Sequence, residues 1–131
     1  MSNARKSHVG NRYRSRYLRS VSWFRRRDHW FTEQQTRTNG LRCVVCRQPA
    51  TRRQLELHHL DYSRVTRVGA WSAAREVHED LCAMHPGCHT MVHQVLDTDP
   101  VLRAHRARPI ATVHAIRIAQ TRLPAIARLR Q

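Results

Sequence analysis

The metal-ligand residue types of this chain fall into two interleaved sets, and any fold it adopts has to bring both together. Cys43-Val-Val-Cys46 opens the first set, and His85-Pro-Gly-Cys88 repeats its spacing farther along. A structural zinc takes four N or S ligands at tetrahedral corners, commonly from two short knuckles with about two residues between ligands. The alternative second pair, Cys82 with Cys88, needs a five-residue gap. Cys43, Cys46, His85 and Cys88 are therefore the favoured set, and Cys82 is left as a small residue facing the core beside Leu81 and Met84. The second set is His58, His59, His89 and His93. Adjacent residues at a strand end face opposite sides, so one of His58 and His59 can bind a cation while the other acts as a base. His89 and His93, four apart, share a helix face and can converge on the same cation. Open coordination positions would then remain for phosphate and water.

A metal also answers a shortage of core. The chain has 131 residues, 40% of them hydrophobic but only 6% aromatic, a single-domain length with limited apolar volume. Its formal charge is +15, from 24 basic residues, all Arg except Lys6, against 9 acidic ones. The planar guanidinium matches phosphate oxygens, which makes a polyanion the natural partner. No apolar run approaches a membrane span or a signal-peptide core, so a cytoplasmic location and no membrane partner are expected. In a reducing compartment four cysteines point to metal rather than to disulfides.

Along the chain, residues 1–20 read as a basic arm with Arg5, Lys6, Arg12, Arg14, Arg16 and Arg19 and little to pack. Trp23, Phe24, Trp30 and Phe31 then recur at roughly helical spacing around Arg25, Arg26 and Arg27, and predict a helix over 20–37 stopped by Asn39-Gly40. Core packing is the expected role of these aromatics. Residues 41–50 read as a cysteine turn, and 54–60 as a short strand delivering His58 and His59 at its end. The stretch 61–78 reads as an irregular excursion with a short strand or turn around 65–71. A helix is predicted over 90–96, broken at Asp97-Thr98-Asp99-Pro100, where another begins. The tail, 101–131, is basic and helical, with Ile110, Val113 and Ile116, then Leu123, Ile126 and Leu129, as its apolar positions and a break at Pro124. There is no internal repeat.

With Cys43-x-x-Cys46, a strand ending in His58-His59, and a Leu81 knuckle running into Cys88-His89-x-x-x-His93, the chain resembles the HNH endonucleases, notably their small phage and bacterial members. The resemblance covers about residues 17–97, including the lead-in from Tyr17-Leu18-Arg19-Ser20 to Trp23. It implies an α+β fold: a small ββα-metal core over 21–100, held by structural zinc and flanked by helices at both ends. It makes His59 the general base and His58, His89 and His93 ligands of one catalytic divalent cation. Asp80 stands where the family carries its central Asn, keeping that residue's acceptors without the amide donor. His85 stands where a Cys is usual.

The implied activity is metal-dependent hydrolysis of phosphodiester bonds in double-stranded DNA, with His59 activating water. Three imidazoles suit Mn2+, Ni2+ or Zn2+ better than Mg2+ by ligand softness, although Mg2+ stays among the candidates. Arg25, Arg26 and Arg27, with the arm and tail, are the expected phosphate contacts, which carry little sequence information. Further partners would be phage packaging or other DNA-processing proteins. The rival from another class is a zinc-knuckle protein that binds DNA without cutting it.

Overall fold

The computed structural model describes residues 16–68, 70–72 and 76–123. Most of the basic arm, Gly69 and the tail from Pro124 onward lie outside the described residues. The first helix, α1, spans Val21–Thr38. Ser20 caps it, its Oγ accepting the Trp23 N–H at 3.1 Å, which satisfies one of the free donors of the first turn. Asn39 takes the left-handed conformation at φ 52°, and Gly40 follows at φ 127°, where a side chain would be strained. Trp23, Trp30 and Phe31 are buried as expected, but Phe24 is 55% exposed. Trp30 donates its indole N–H to the His78 carbonyl at 2.9 Å.

The turn over residues 41–50 is closed by an antiparallel bridge between Arg42 and Pro49. Inside it the Cys43 N–H reaches the Gln48 carbonyl at 3.1 Å, and Arg47 N–H returns to Cys43 at 2.9 Å. Arg47 sits at φ 63° to complete the reversal. A single 3₁₀ turn, Arg52–Gln54, leads into strand β1, Glu56–His59. Strands β2 (Thr66–Val68) and β3 (Ala70–Ser72) pair antiparallel as a small ribbon within the expected irregular stretch. After a second 3₁₀ turn, His78–Asp80, comes β4, Leu81–Met84.

Strand β4 was not foreseen. It pairs antiparallel with β1 in the register Glu56↔Met84, Leu57↔Ala83, His58↔Cys82 and His59↔Leu81. Helix α2 follows at once over Pro86–Thr98, starting before the expected residue 90 because Pro86 occupies the first turn, where its missing N–H costs nothing. Its buried face, Cys88, Val92, Val95 and Leu96, packs against β1, β4 and the later helices. Asp99 caps the short α3, Pro100–Ala104, accepting from the Val101 and Leu102 amides.

Helix α4, Arg108–Thr121, buries Ile116 of the expected apolar positions, and Leu123 just beyond it, but not the others among the described residues. Ala111, Ala115, Ala119, Thr112 and Ile116 are buried, whereas Ile110 is 52% and Val113 43% exposed. The small side chains let α4 approach α2 closely, so packing distance rather than side-chain size selects the inner stripe. At its far end Gln120 donates to the Val44 carbonyl at 3.3 Å, tying α4 to the cysteine turn. The result is a small α+β fold with four α-helices among the described residues.

Candidate metal centres and the histidine cleft

Cys43, Cys46, His85 and Cys88 converge: one ligand atom from each lies within 4.8 Å of all the others, so the group can hold a metal ion such as zinc. Cys46 Sγ is 3.3 Å from His85 Nδ1, and Cys43 Sγ accepts the His85 N–H at 3.4 Å. With metal–ligand bonds of about 2.0–2.3 Å, tetrahedral ligands sit roughly 3.3–3.8 Å apart, so these positions fit a closed site with little movement. The turn is pinned to the sheet by Val44 N–H bonding the Ala83 carbonyl at 2.9 Å. Burial pushes the Cys88 thiol up to about 12 and raises Cys46 as well, so both are protonated at neutral pH until a cation takes the proton's place. Cys82 is outside the cluster and partly buried, with its thiol also pushed up to about 12 by desolvation.

His58, His89 and His93 form a second convergence, again with all three ligand atoms within 4.8 Å. His89 Nε2 lies 3.1 Å from both His58 Nδ1 and His93 Nε2. Imidazole nitrogens held about 2.0–2.1 Å from one cation would be roughly 2.9–3.4 Å apart, for octahedral or tetrahedral angles. Three neutral rings cannot fully satisfy one another with the protons they carry. Glu56 Oε1 meets His89 Nδ1 at 3.0 Å, which fixes the tautomer that turns the Nε2 lone pair inward. Burial, reinforced by His93 and His89, holds His58 well below the usual histidine range, so it is neutral at pH 7.

His59 faces the other way, as strand alternation requires. Its ring stacks on Tyr62 at 4.0 Å, lies 4.9 Å from Trp23 and meets the edge of Tyr17 at 5.8 Å. Its side chain is 1% exposed, and Nε2 lies 3.4 Å from Glu76 Oε2. Both His58 and His59 still line one cleft of about 520 Å³, with His89, His93, Tyr62 and Arg108 around it. Arg108 is held by its bonds to the carbonyls of Leu102 and His105. A larger groove of about 850 Å³ runs past Trp30, Val44, Cys82 and Ile116 and contains none of the four histidines.

Asp80 is buried and closes its loop: Oδ2 accepts the Val77 N–H at 3.1 Å, and Oδ1 pairs with Arg64 at 2.5 Å. Its carbonyl accepts the Leu60 N–H at 2.8 Å, so the residue also fixes the exit of β1. Of the three arginines expected on phosphate, Arg25 is exposed. Arg26 is turned inward, its side chain 10% exposed beside Glu76 and bonded to the Val77 carbonyl. Arg27 lies over the Phe31 ring at 4.9 Å, partly buried. Loop residues fifty positions away, Glu76 and Val77, claim Arg26, and helical spacing alone does not show that.

No family model, curated protein or solved structure matches the chain. The sequence alone did not point to Glu56, Glu76 or Tyr62, and it took in Arg108 only as one of the basic residues of the tail. Glu56 had a signal, since it lies two residues before His58 on the same strand face. Glu76 had a fainter one: a protein with only 9 acidic residues against 24 basic ones has few carboxylates to spare for a buried position.

Proposed function

We propose that this chain is an HNH-type endonuclease that hydrolyses phosphodiester bonds in double-stranded DNA with low sequence specificity. The observation that carries the reading is the trio of imidazole nitrogens from β1 and α2, at 3.1 Å separations, beside a cleft shared with a fourth histidine of the same strand. The order of β1, β4 and α2 supports a ββα core around it. His58, His89 and His93 would hold one divalent cation, Mg2+, Mn2+, Ni2+ or Zn2+, and Cys43, Cys46, His85 and Cys88 a structural zinc. The bound divalent ion would supply charge stabilisation for the phosphate oxygens during displacement.

His59 takes the proton from the attacking water, which adds to phosphorus as the bond to the leaving 3′-oxygen breaks; that oxygen gains a proton from solvent, and His59 later releases its own. Arg108, fixed at the cleft, and Arg25 meet backbone phosphates. Asp80 acts by holding the loop between Arg64 and Val77 rather than by touching substrate. No helix among the described residues is long and apolar enough to cross a membrane. The free thiols suit a reducing, cytoplasmic setting.

The burial of His59 favours one second reading, a zinc-knuckle protein that binds DNA without cutting it. Nicking of supercoiled plasmid separates the two. The wild type should nick with at least one of the four cations, and His59→Ala should fall by about 100- to 10,000-fold, the usual worth of a general base. Equal rates for the two proteins would remove His59 from the chemistry, and no nicking by either would favour the binding module.

A further inference from the structure

We propose that Glu76 is the positioning residue of His59: a buried carboxylate that fixes the ring's tautomer, so that Nδ1 is the nitrogen turned to water. The proposal rests on the nuclease reading above and adds a residue that neither the motif nor its spacing contains. Its basis is a carboxylate placed where an acidic side chain is costly. The Glu76 side chain is 0% exposed in a loop leading to β4, and it sits against the equally buried ring of His59. An isolated carboxylate would not remain there; it needs donors around it.

Those donors divide between its two oxygens. Oε1 accepts the Tyr17 hydroxyl at 2.9 Å and lies 3.6 Å from Arg26 Nε. Oε2 lies 3.4 Å from His59 Nε2, and both of these buried atoms are without a hydrogen-bond partner. Each is therefore the counterpart available to the other. Burial together with Glu76 raises the Tyr17 phenol, which stays protonated and goes on donating. The ring stacks on Tyr62 at 4.0 Å and meets Trp23 in a tilted contact at 4.9 Å, so the imidazole has little freedom to turn away.

The chemical consequence follows from imidazole itself. A neutral ring carries one N–H, and the nitrogen beside a carboxylate takes it. With Nε2–H directed at Glu76, the lone pair is on Nδ1, which accepts the proton of the attacking water. The imidazolium so formed has its positive charge beside the Glu76 carboxylate. This is the division of labour between acid and imidazole in hydrolytic triads, where the acid orients and stabilises without itself being protonated.

Glu76→Gln tests the idea because the geometry dictates how the amide sits. Tyr17 donates to Oε1, and the Arg26 guanidinium lies on the same side at 3.6 Å. The amide oxygen stays there, and the NH2 group faces His59. Facing a donor, Nε2 becomes the lone-pair nitrogen and the ring changes to the Nδ1–H tautomer, unable to accept from water. Plasmid nicking should fall on the order of 100-fold, within the range a general base contributes. DNA affinity measured on zinc-loaded protein with no other divalent cation added should be unchanged, and ¹⁵N NMR of the imidazole should show Nε2–H in the wild type and Nδ1–H in Glu76→Gln. Glu76→Asp, which keeps the charge with a shorter reach, should recover part of the rate.

A wild type that nicks, a His59→Ala variant that does not, and a Glu76→Gln variant as fast as wild type would overturn the assignment while leaving the nuclease reading intact. A wild type inactive with every cation would instead remove the nuclease reading. Should Glu76→Gln fail to fold, the wild-type spectrum still decides: an Nδ1–H ring at His59 overturns the proposal.

Discussion

Replacing Cys43 with Ser should unfold this protein under conditions in which the wild type is stable. Cys43 is 1% exposed and does two jobs: it is one of four converging ligands, and its sulfur accepts the backbone N–H of His85, joining the cysteine turn to the start of α2. Structural zinc in such sites contributes about 10–16 kcal/mol at neutral pH. A whole domain is stable by only about 5–15 kcal/mol, so metal and fold stand or fall together. A serine hydroxyl stays protonated and is a poor partner for a soft-ligand site. Even if the variant lost only a third of the metal's contribution, about 4 kcal/mol, the melting temperature would drop by roughly 12–20 °C at this chain length. Zinc content by mass spectrometry and a thermal melt by circular dichroism measure both halves of the effect. Cys82→Ser is the control, because that thiol lies outside the cluster. It should keep its zinc and melt within about 5 °C of wild type. A Cys43→Ser protein that holds one equivalent of zinc and melts like the wild type would refute the reasoning, as would loss of zinc on changing Cys82.

Three other outcomes follow from the same geometry. Because burial raises Cys46 and takes Cys88 to about 12, zinc uptake at pH 7 must expel protons; calorimetry in buffers of differing ionisation enthalpy should detect at least about two, with affinity rising as pH rises. His58 is depressed in the folded state, so below about pH 6.5 the unfolded chain binds the proton that the folded chain refuses, and protein carrying only its structural zinc should lose stability as pH falls through that window in urea titrations. Asp80→Ala strands the Val77 N–H and leaves Arg64 only its weaker pairing with Asp61, and should cost about 1–3 kcal/mol in urea unfolding, with Asp80→Asn milder because it keeps one acceptor.

What could be read from the sequence was whatever short range decides. Helix α1 announced itself through the spacing of Trp23, Trp30 and Phe31 and the Asn39-Gly40 stop, whereas the Ser20 cap was not read. The two ligand sets were readable because ligand chemistry tolerates few residue types and the spacings are local. Strand β4 escaped notice because Leu81–Met84 is four residues without alternation, and becomes a strand only by pairing with β1. The inner face of α4 was misjudged for a related reason: Ala111, Ala115 and Ala119 carry little hydrophobic signal, yet they allow the close approach to α2 that leaves Ile110 and Val113 outside. Arg26 and Glu76 show the same limit in the electrostatics, since the residues fifty apart in the chain meet only after folding.

The most direct test of the account is element-specific X-ray absorption on protein carrying one equivalent of zinc and then one of nickel. The zinc edge should show three sulfurs and one imidazole nitrogen, from Cys43, Cys46, Cys88 and His85. The nickel edge should show three imidazoles and no sulfur, with one imidazole fewer, or no bound nickel, in His93→Ala. Failure of nickel to bind, sulfur in its coordination sphere, or a nickel spectrum unchanged by His93→Ala would contradict the claim that β1 and α2 close three histidines around a single cation.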